Sequence, residues 1–168
     1  MITDAIRLLL FPAMMAFAAS SDLFSMTISN RVSLVLIAGF VAMAALTGMS
    51  PELAMWHAAT GAGVLVMTFI FFARGWIGGG DAKLAAATAL WIGPALLLNY
   101  LLYASIFGGA LTLLMLRFRL APLPEFLAGQ PWAERLHRLD AGVPYGIALA
   151  ASALVVYPDT VWMRALAP

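Results

Sequence analysis

The chain has 168 residues, of which 64% are hydrophobic and only 10% are charged, and its mean hydropathy is +0.97. Soluble domains usually carry about 25% charged residues, so this composition indicates a polytopic membrane protein without a separate soluble domain. A net charge of +1 offers no basic surface for nucleic acid, and the absence of cysteine excludes disulfides, thiol nucleophiles and cysteine-ligated zinc. Because the two histidines lie far apart in the sequence, we predict neither a metal site nor a cofactor.

The apolar runs predict an all-α bundle of about six transmembrane helices, forming a single domain over residues 1–168. The predicted segments are about 5–21, 32–48, 53–73, 82–93, 95–116 and 142–160. Arg7 and Pro12 interrupt the first segment, which could therefore be a cleaved signal peptide. We favour a retained helix, because Asp4 balances Arg7 and the start of the chain is not a basic signal-peptide region.

The fourth segment is predicted to be unusually short. The uncharged run 84–116 would span about 50 Å as one helix, whereas the hydrocarbon core of a bilayer is about 30 Å thick. The break is expected at Gly93–Pro94, which leaves a fourth helix of roughly 18 Å. Asp81 then lies below the membrane surface. Glycine-rich backbone at that depth is tolerated only inside protein or against a wet cavity, so a polar cavity is predicted there.

The loop 117–141 is the longest connection, and it contains a short amphipathic segment that begins at Pro131. Trp132, Leu136 and Leu139 follow one another at helical spacing and would share one face. We interpret this segment as a helix that lies on the membrane surface, in preference to a substrate-binding element.

The distribution of basic residues predicts the topology. With six segments, the loops after helices one, three and five lie on the same side, and they carry seven of the nine basic residues, namely Arg31, Arg74, Lys83, Arg117, Arg119, Arg135 and Arg138. The positive-inside rule places these loops in the cytoplasm and both termini outside. Asp22 would start the first of these loops and Asp81 would end the second, so both acids reach the same membrane face.

Two carboxylates at membrane depth are candidates for function. If Asp22 and Asp81 share a small cavity, their mutual repulsion favours a state in which one acid is protonated and the other ionised. The ionised acid can accept a proton from water while the protonated acid polarises a carbonyl, as in aspartic proteases. The pair titrates as a unit, so neither aspartate is given a fixed role.

The glycines beside Asp81 admit two interpretations. Gly78, Gly79 and Gly80 can adopt positive φ values and allow close backbone approach, so a substrate peptide could lie against them as an added strand. Alternatively, the segment is a plain turn between helices in which Asp81 is the N-cap of the fourth helix.

Three stretches resemble a known family. IGGGDAKL (77–84) resembles the GxGD motif of the type IV prepilin peptidases, membrane aspartic proteases that trim pilin precursors. DLFSMTISNR (22–31) is similar to the family's first-aspartate stretch, in which Ile-Pro-Asn begins six residues after the aspartate. Asp22, Ile28 and Asn30 match that stretch, whereas Ser29 replaces the usual proline. VPYGIAL (143–149) is similar to the stretch that opens the family's last helix.

The resemblance implies that Asp22 and Asp81 are the catalytic pair of a multi-pass peptidase in the bacterial inner membrane. The implied substrate is a prepilin with a short basic leader and an apolar helix, cut after a glycine on the cytoplasmic side, with a pilus assembly machinery as a possible partner. The residues expected to support the site or the substrate are Gly78, Gly79, Gly80, Lys83, Ile28, Asn30, Pro144, Tyr145 and Gly146. Lys83 could influence Asp81 electrostatically or anchor at the membrane interface.

Larger members of that family carry a cysteine-containing domain and also N-methylate the trimmed pilin. This chain has no cysteine and only about ten residues between its first two predicted helices, so the resemblance implies proteolysis without methylation, as in the minimal peptidases of Flp/Tad pilus systems. Two other classes stay open: a small transporter or proton relay, and a non-catalytic membrane scaffold. A transporter more often shows repeated halves with paired broken helices, and a scaffold could have lost an aspartate.

Overall fold

The computed structural model of the chain describes residues 2–166, and within that range it contains helices, turns and loops but no strand. The helices are α1 (Ile2–Ser25), α2 (Asn30–Leu46), α3 (Pro51–Ala73), α4 (Gly79–Ile92), α5 (Leu97–Leu120), α6 (Pro131–His137), α7 (Tyr145–Val156) and α8 (Val161–Arg164). Short 3₁₀ turns at Pro94–Leu96 and Tyr157–Asp159 lead into α5 and α8. The predicted all-α class is confirmed.

Among residues 2–166, four continuous helical stretches are long and apolar enough to cross a membrane: Thr3–Ser25, Pro51–Ala73, Pro94–Leu120 and Tyr145–Arg164. The 17 residues of α2 form a shorter apolar helix. The chain is therefore a polytopic helical membrane protein. The 14 residues of α4 correspond to about 21 Å, and this helix is the most completely buried of the bundle.

Two helices, α4 and α7, occupy the interior. α4 packs against α3 and α2, α7 packs between α1 and α5, and the two interior helices contact each other. Small residues make this possible, because the alanine-rich sequence of α4 lets neighbouring backbones approach closely. The start of each interior helix lies at the end of the bundle where α1 ends and α2 begins.

The opposite end of the bundle is closed by an aromatic cluster and a glycine turn. Phe11, Phe40, Trp91, Tyr157 and Trp162 are all buried there and contact one another. The expected break after α4 is confirmed: the helix ends at Ile92 and Gly93 has a φ of 75°. A β-carbon on Gly93 would lie 2.5 Å from the His57 ring, so this turn has room only for glycine.

Two details of the predicted elements are wrong. α1 continues to Ser25, so Asp22 lies in its last turn and does not start a loop. Leu139 lies beyond α6 and is 80% exposed, because the helix stops at His137 and Arg138 has an extended backbone. Only Trp132 and Leu136 of the predicted face belong to the helix, where Leu136 is buried.

The segment around α6 is fixed to the protein by side-chain contacts. Arg119 of α5 donates hydrogen bonds to the carbonyl oxygens of Leu136 (2.8 Å) and Gly142 (2.6 Å). Arg135 donates to the carbonyl oxygen of Phe24 (2.9 Å), and Trp132 packs edge-on against the Phe24 ring. α6 is therefore held over the ends of α1 and α5, beside the turn that carries Asp22.

Candidate active site

Asp22 and Asp81 line one cavity of about 290 Å³ at the end of the bundle. Asp22 is 6% exposed and Asp81 is partly buried. The two carboxylates are close enough to repel each other electrostatically. The other residues that line the cavity come from the turn after α1 and from the glycine segment before α4: Met26, Thr27, Ile28, Gly78, Gly79 and Gly80. The structure thus brings together two acids that are 59 positions apart in the sequence.

Asp22 is held by the start of α7. Its Oδ2 atom accepts a hydrogen bond of 2.7 Å from the backbone N–H of Gly146. The first N–H groups of a helix have no partner within the helix, and Pro144, which precedes α7, supplies no capping side chain. Asp22 therefore caps α7 from another helix, and the positive end of the α7 dipole stabilises its negative charge.

Asp81 is the third residue of α4, and its carboxylate is within hydrogen-bonding reach of the Gly78 backbone N–H. Gly78 is the N-cap residue, so the alternative in which Asp81 is itself the N-cap is wrong. An acid at the third helical position that reaches back to the N-cap N–H corresponds to half of a capping box. This contact orients Asp81 along the first turn of α4.

The three motif glycines act through close approach. None of them has a positive φ, so that expectation is wrong; the left-handed glycine of this connection is Gly75, at 73°. A β-carbon on Gly78 would lie 2.9 Å from Asp81 Oδ2, and one on Gly80 would lie 3.1 Å from Ile28 Cβ. A β-carbon on Gly79 would meet only the Phe72 ring, at 3.2 Å, and a side chain can move. At Gly80 the added carbon would also meet backbone atoms, Ile28 N at 3.3 Å and Ile28 O at 3.4 Å, whereas the nearest atoms at Gly78 belong to a side chain. The steric demand is therefore strongest at Gly80.

Ile28 connects the two halves of the site. It is 8% exposed and packs between Gly80 at the start of α4 and Gly146 at the start of α7. Two residues further on, Asn30 begins α2, and its Oδ1 atom accepts a hydrogen bond of 2.7 Å from Lys83. Lys83 therefore bonds to α2, and within residues 2–166 it forms no ion pair with Asp81.

Pro144 and Tyr145 lie at the edge of the site. Pro144 is buried, and the hydroxyl groups of Tyr145 and Thr112 lie 2.9 Å apart. Tyr145 and Asp81 both line a second cavity, of about 360 Å³, which lies between α3 and the pair α5 and α7. Asp81 thus borders two spaces, and only the smaller one contains Asp22.

The sequence did not indicate Met26 and Thr27 as cavity residues. Met26 has a φ of 55°, a left-handed conformation that costs a non-glycine residue energy. Hydroxyl groups stabilise this turn, since Ser21 donates to the Thr27 carbonyl oxygen (2.8 Å) and Ser25 lies 2.8 Å from the Thr27 hydroxyl. A run of serine and threonine without glycine gives no clear signal for a left-handed turn, so the sequence offered no reason to single out Met26 or Thr27.

The arrangement suits acid–base chemistry on a bound peptide. Neither acid is neutralised by a basic side chain in the part of the chain that the structure describes. Among the same residues, no three acids or histidines cluster as a metal site would require. Two carboxylates in one cavity can share a single proton, so that one can activate water while the other donates a hydrogen bond.

Comparison with known proteins gives one match. The sequence model of the type IV leader peptidase family matches residues 9–113, which is more than half of the chain. Searches of curated proteins and of solved structures give no significant match. The matched region runs from α1 into α5 and contains both aspartates and the glycine segment, whereas residues 143–149 lie outside it. This polytopic membrane protein therefore belongs to the type IV leader peptidase family.

Proposed function

We propose that the protein is an aspartic endopeptidase that removes the short basic leader from prepilins of the Flp/Tad type. The observation that carries the proposal is the shared cavity of Asp22 and Asp81 at one end of the bundle. Family membership supports peptide hydrolysis, and the two acids supply a proton acceptor and a proton donor for it. The ionised acid accepts a proton from water as the water oxygen attacks the carbonyl carbon of the scissile bond. The C–N bond then breaks, and the leaving amine takes up a proton from the protonated acid.

The proposed site faces the cytoplasm of a bacterial inner membrane. The helix ends around the two aspartates also carry the basic loops of the chain, and the positive-inside rule assigns such loops to the cytoplasm. Both termini then lie outside, and a pilus assembly machinery would take up the trimmed product. Gly78 has an extended backbone and Gly79 and Gly80 begin α4, so the substrate would lie against the N–H groups of the first turn of α4, which have no partner within the helix. The chain would trim without methylating, because only residues 26–29 connect α1 and α2 and the sequence contains no cysteine.

A cleavage assay tests the proposal. Purified enzyme would be given a synthetic prepilin-like peptide that contains a basic leader, a glycine and an apolar helix. We expect Asp22→Asn and Asp81→Asn each to lower kcat by at least about 100-fold, because each removes one partner of the acid–base pair. The double variant should be no slower than either single variant, since the two acids act as a unit.

These variants distinguish the loss of an acid–base group from a disturbance of the fold. The amide that Asp22→Asn introduces would keep an oxygen that can accept the Gly146 hydrogen bond, so capping of α7 is preserved. Asp140→Asn is the matched control, because Asp140 is exposed and pairs only with Arg138 among the described residues. If a folded Asp22→Asn or Asp81→Asn protein retained near-wild-type activity, that aspartate would have only a structural role.

A further inference from the structure

A large apolar groove runs along the outside of α4, between α2 and α3. Its volume is about 580 Å³, twice that of the cavity that holds the two aspartates. α3 packs on α4, and α2 packs on α4 and α1, so the space between α2 and α3 is open toward the lipid. The surface that faces the bilayer here is therefore a groove bordered by α2 on one side and α3 on the other.

One end of the groove lies next to the aspartate cavity, although the two spaces share no lining residue. Its end is formed by Asn30 and Lys83, which are bonded to each other and lie two residues after Ile28 and Asp81. From Lys83 it follows α4 as far as Leu90, a distance of roughly 10 Å along the helix axis. A chain whose scissile bond lies at the two aspartates could therefore place its next residues in the groove.

The lining of the groove is shaped for another helix. Its floor is made of small side chains, Ala86 and Ala87 from α4 and Ala58 and Ala62 from α3. Small residues let helix backbones approach closely in a membrane, where packing drives helix association. Its walls carry exposed apolar side chains such as Leu34 and Leu65, which are 63% and 45% exposed. An apolar helix would cover both.

A buried hydroxyl group distinguishes a peptide from a lipid chain. Ser33 lines the groove and is 8% exposed, and its Oγ atom has no hydrogen-bond partner among residues 2–166. A buried polar group without a partner costs free energy. An acyl chain cannot supply a partner, whereas the first turn of a bound helix has several N–H groups without partners of their own. Ser33 lies one turn beyond Asn30, where such a first turn would begin.

We propose that this groove binds the apolar helix of the substrate, so that the enzyme recognises the membrane-embedded helix as well as the leader. The proposal rests on the proposed peptidase function and adds a second binding site to it. The helix enters laterally from the bilayer between α2 and α3, and its N-terminal end meets the two aspartates.

Disulfide crosslinking tests the location, because the chain has no cysteine of its own. In an Asp81→Asn background, Leu34→Cys and Leu65→Cys would place thiols on the two walls of the groove. Met67→Cys is the matched control, since Met67 lies on the same helix as Leu65 but lines the 360 Å³ cavity on the other side of α3. The probe is the prepilin-like peptide with one cysteine in its apolar helix. We expect the two groove variants to crosslink at least fivefold more than Met67→Cys.

Groove filling tests the function of the site. Ala62→Phe would fill the groove, whereas Val66→Phe adds the same ring one turn further along α3, at a residue that lines none of the cavities described here. We expect Ala62→Phe to raise KM at least fivefold for the helix-bearing peptide and to leave cleavage of a leader peptide without the helix unchanged. Val66→Phe should behave like the wild type, and thermal unfolding checks that both variants fold.

The outcomes separate the two proposals. If the wild type cuts neither peptide, the proposed function fails. If the wild type cuts the helix-bearing peptide, two results would contradict the groove proposal while leaving the proposed peptidase function intact. One is that Met67→Cys crosslinks as well as the groove variants, and the other is that Ala62→Phe has a wild-type KM. A lipid that native mass spectrometry finds on the wild type but not on Ala62→Phe, without peptide crosslinks in the groove, would show that a lipid occupies it.

Discussion

At the residue scale, Gly146 determines how Asp22 can be held. Its N–H group donates to the Asp22 carboxylate, and its missing side chain makes room for Asp22 and Ile28 at the same time. A β-carbon at this position would lie 2.7 Å from Ile28 Cδ1 and 2.8 Å from Asp22 Oδ2, closer than real contacts of this kind. One glycine of α7 therefore positions a carboxylate on α1 and the residue that packs against α4.

Gly146→Ala should displace Asp22 while leaving its charge in place. We expect kcat for prepilin cleavage to fall by about 10- to 100-fold, because small errors in the placement of a reacting group cost that much. Gly109→Ala is the control: it makes the same change within a transmembrane helix, at a position with no atom within 4 Å of the added carbon. Wild-type kcat in Gly146→Ala would show that the contact with Gly146 does not position Asp22.

The sequence predicted the identity of the two acids and their common face, but not the contact that orients Asp22. The spacing between Asp22 and Ile28 is a local sequence pattern, and so is the run of glycines before Asp81. The hydrogen bond between Gly146 and Asp22 joins residues 124 positions apart, and it depends on the packing of α1 against α7. No local pattern encodes that packing, so Gly146 could be named from its motif but not given its role.

At the scale of the element, α4 is held by its last carbonyl groups. The final carbonyls of a helix lack partners within the helix, and three of those in α4 find partners elsewhere. The Leu90 oxygen accepts from His57 Nδ1 and the Trp91 oxygen accepts from Trp162 Nε1, each at 2.8 Å, while the Ala89 oxygen accepts from the Gly93 N–H. α3 and α8 thus fix the end of α4 that is remote from the aspartates.

Trp162→Phe should destabilise the protein without impairing the site. It retains most of the buried ring but leaves the Trp91 carbonyl oxygen without a donor, which costs about 1–3 kcal/mol. The free energy of unfolding, measured by denaturant titration in detergent, should fall by that amount while kcat stays near the wild-type value. Trp56→Phe makes the same change at a tryptophan that is 56% exposed and should be neutral. Equal stability of the two variants would show that the bond contributes nothing.

The observed ends of α1 and α4 show which sequence patterns were sufficient to predict a helix boundary. Gly93–Pro94 predicted the end of α4, because glycine and proline act through the backbone at their own position. The end of α1 was predicted too early, at about residue 21, since Asp22 was expected to start a loop although it continues the helix. In the structure, Asp22 is stabilised there by α7, a tertiary contact that overrides the local preference.

At the scale of the molecule, the two ends of the bundle differ in character. One end is filled by buried aromatic rings and closed by the glycine turn after α4. The other end holds the aspartate cavity, the left-handed turn at Met26 and the loop around α6, which Arg119 and Arg135 hold in place. The densely packed end supports the interior helices, and the more open end leaves space for a substrate.

The shortness of α4 has a consequence for the surrounding lipid. Its length of about 21 Å and the roughly 26 Å of α2 are less than the roughly 30 Å of hydrocarbon in a typical bilayer. Where the groove leaves these two helices facing the lipid, the membrane therefore thins, or water reaches the aspartates from that side. Thicker membranes should bury the site more deeply. We expect kcat in nanodiscs to fall several-fold as the lipid acyl chains lengthen from about 14 to about 22 carbons. A rate independent of chain length, with the fold intact, would contradict this. If the expectation holds, the enzyme senses the thickness of its own membrane, and hydrolysis is fastest where the bilayer is locally thin.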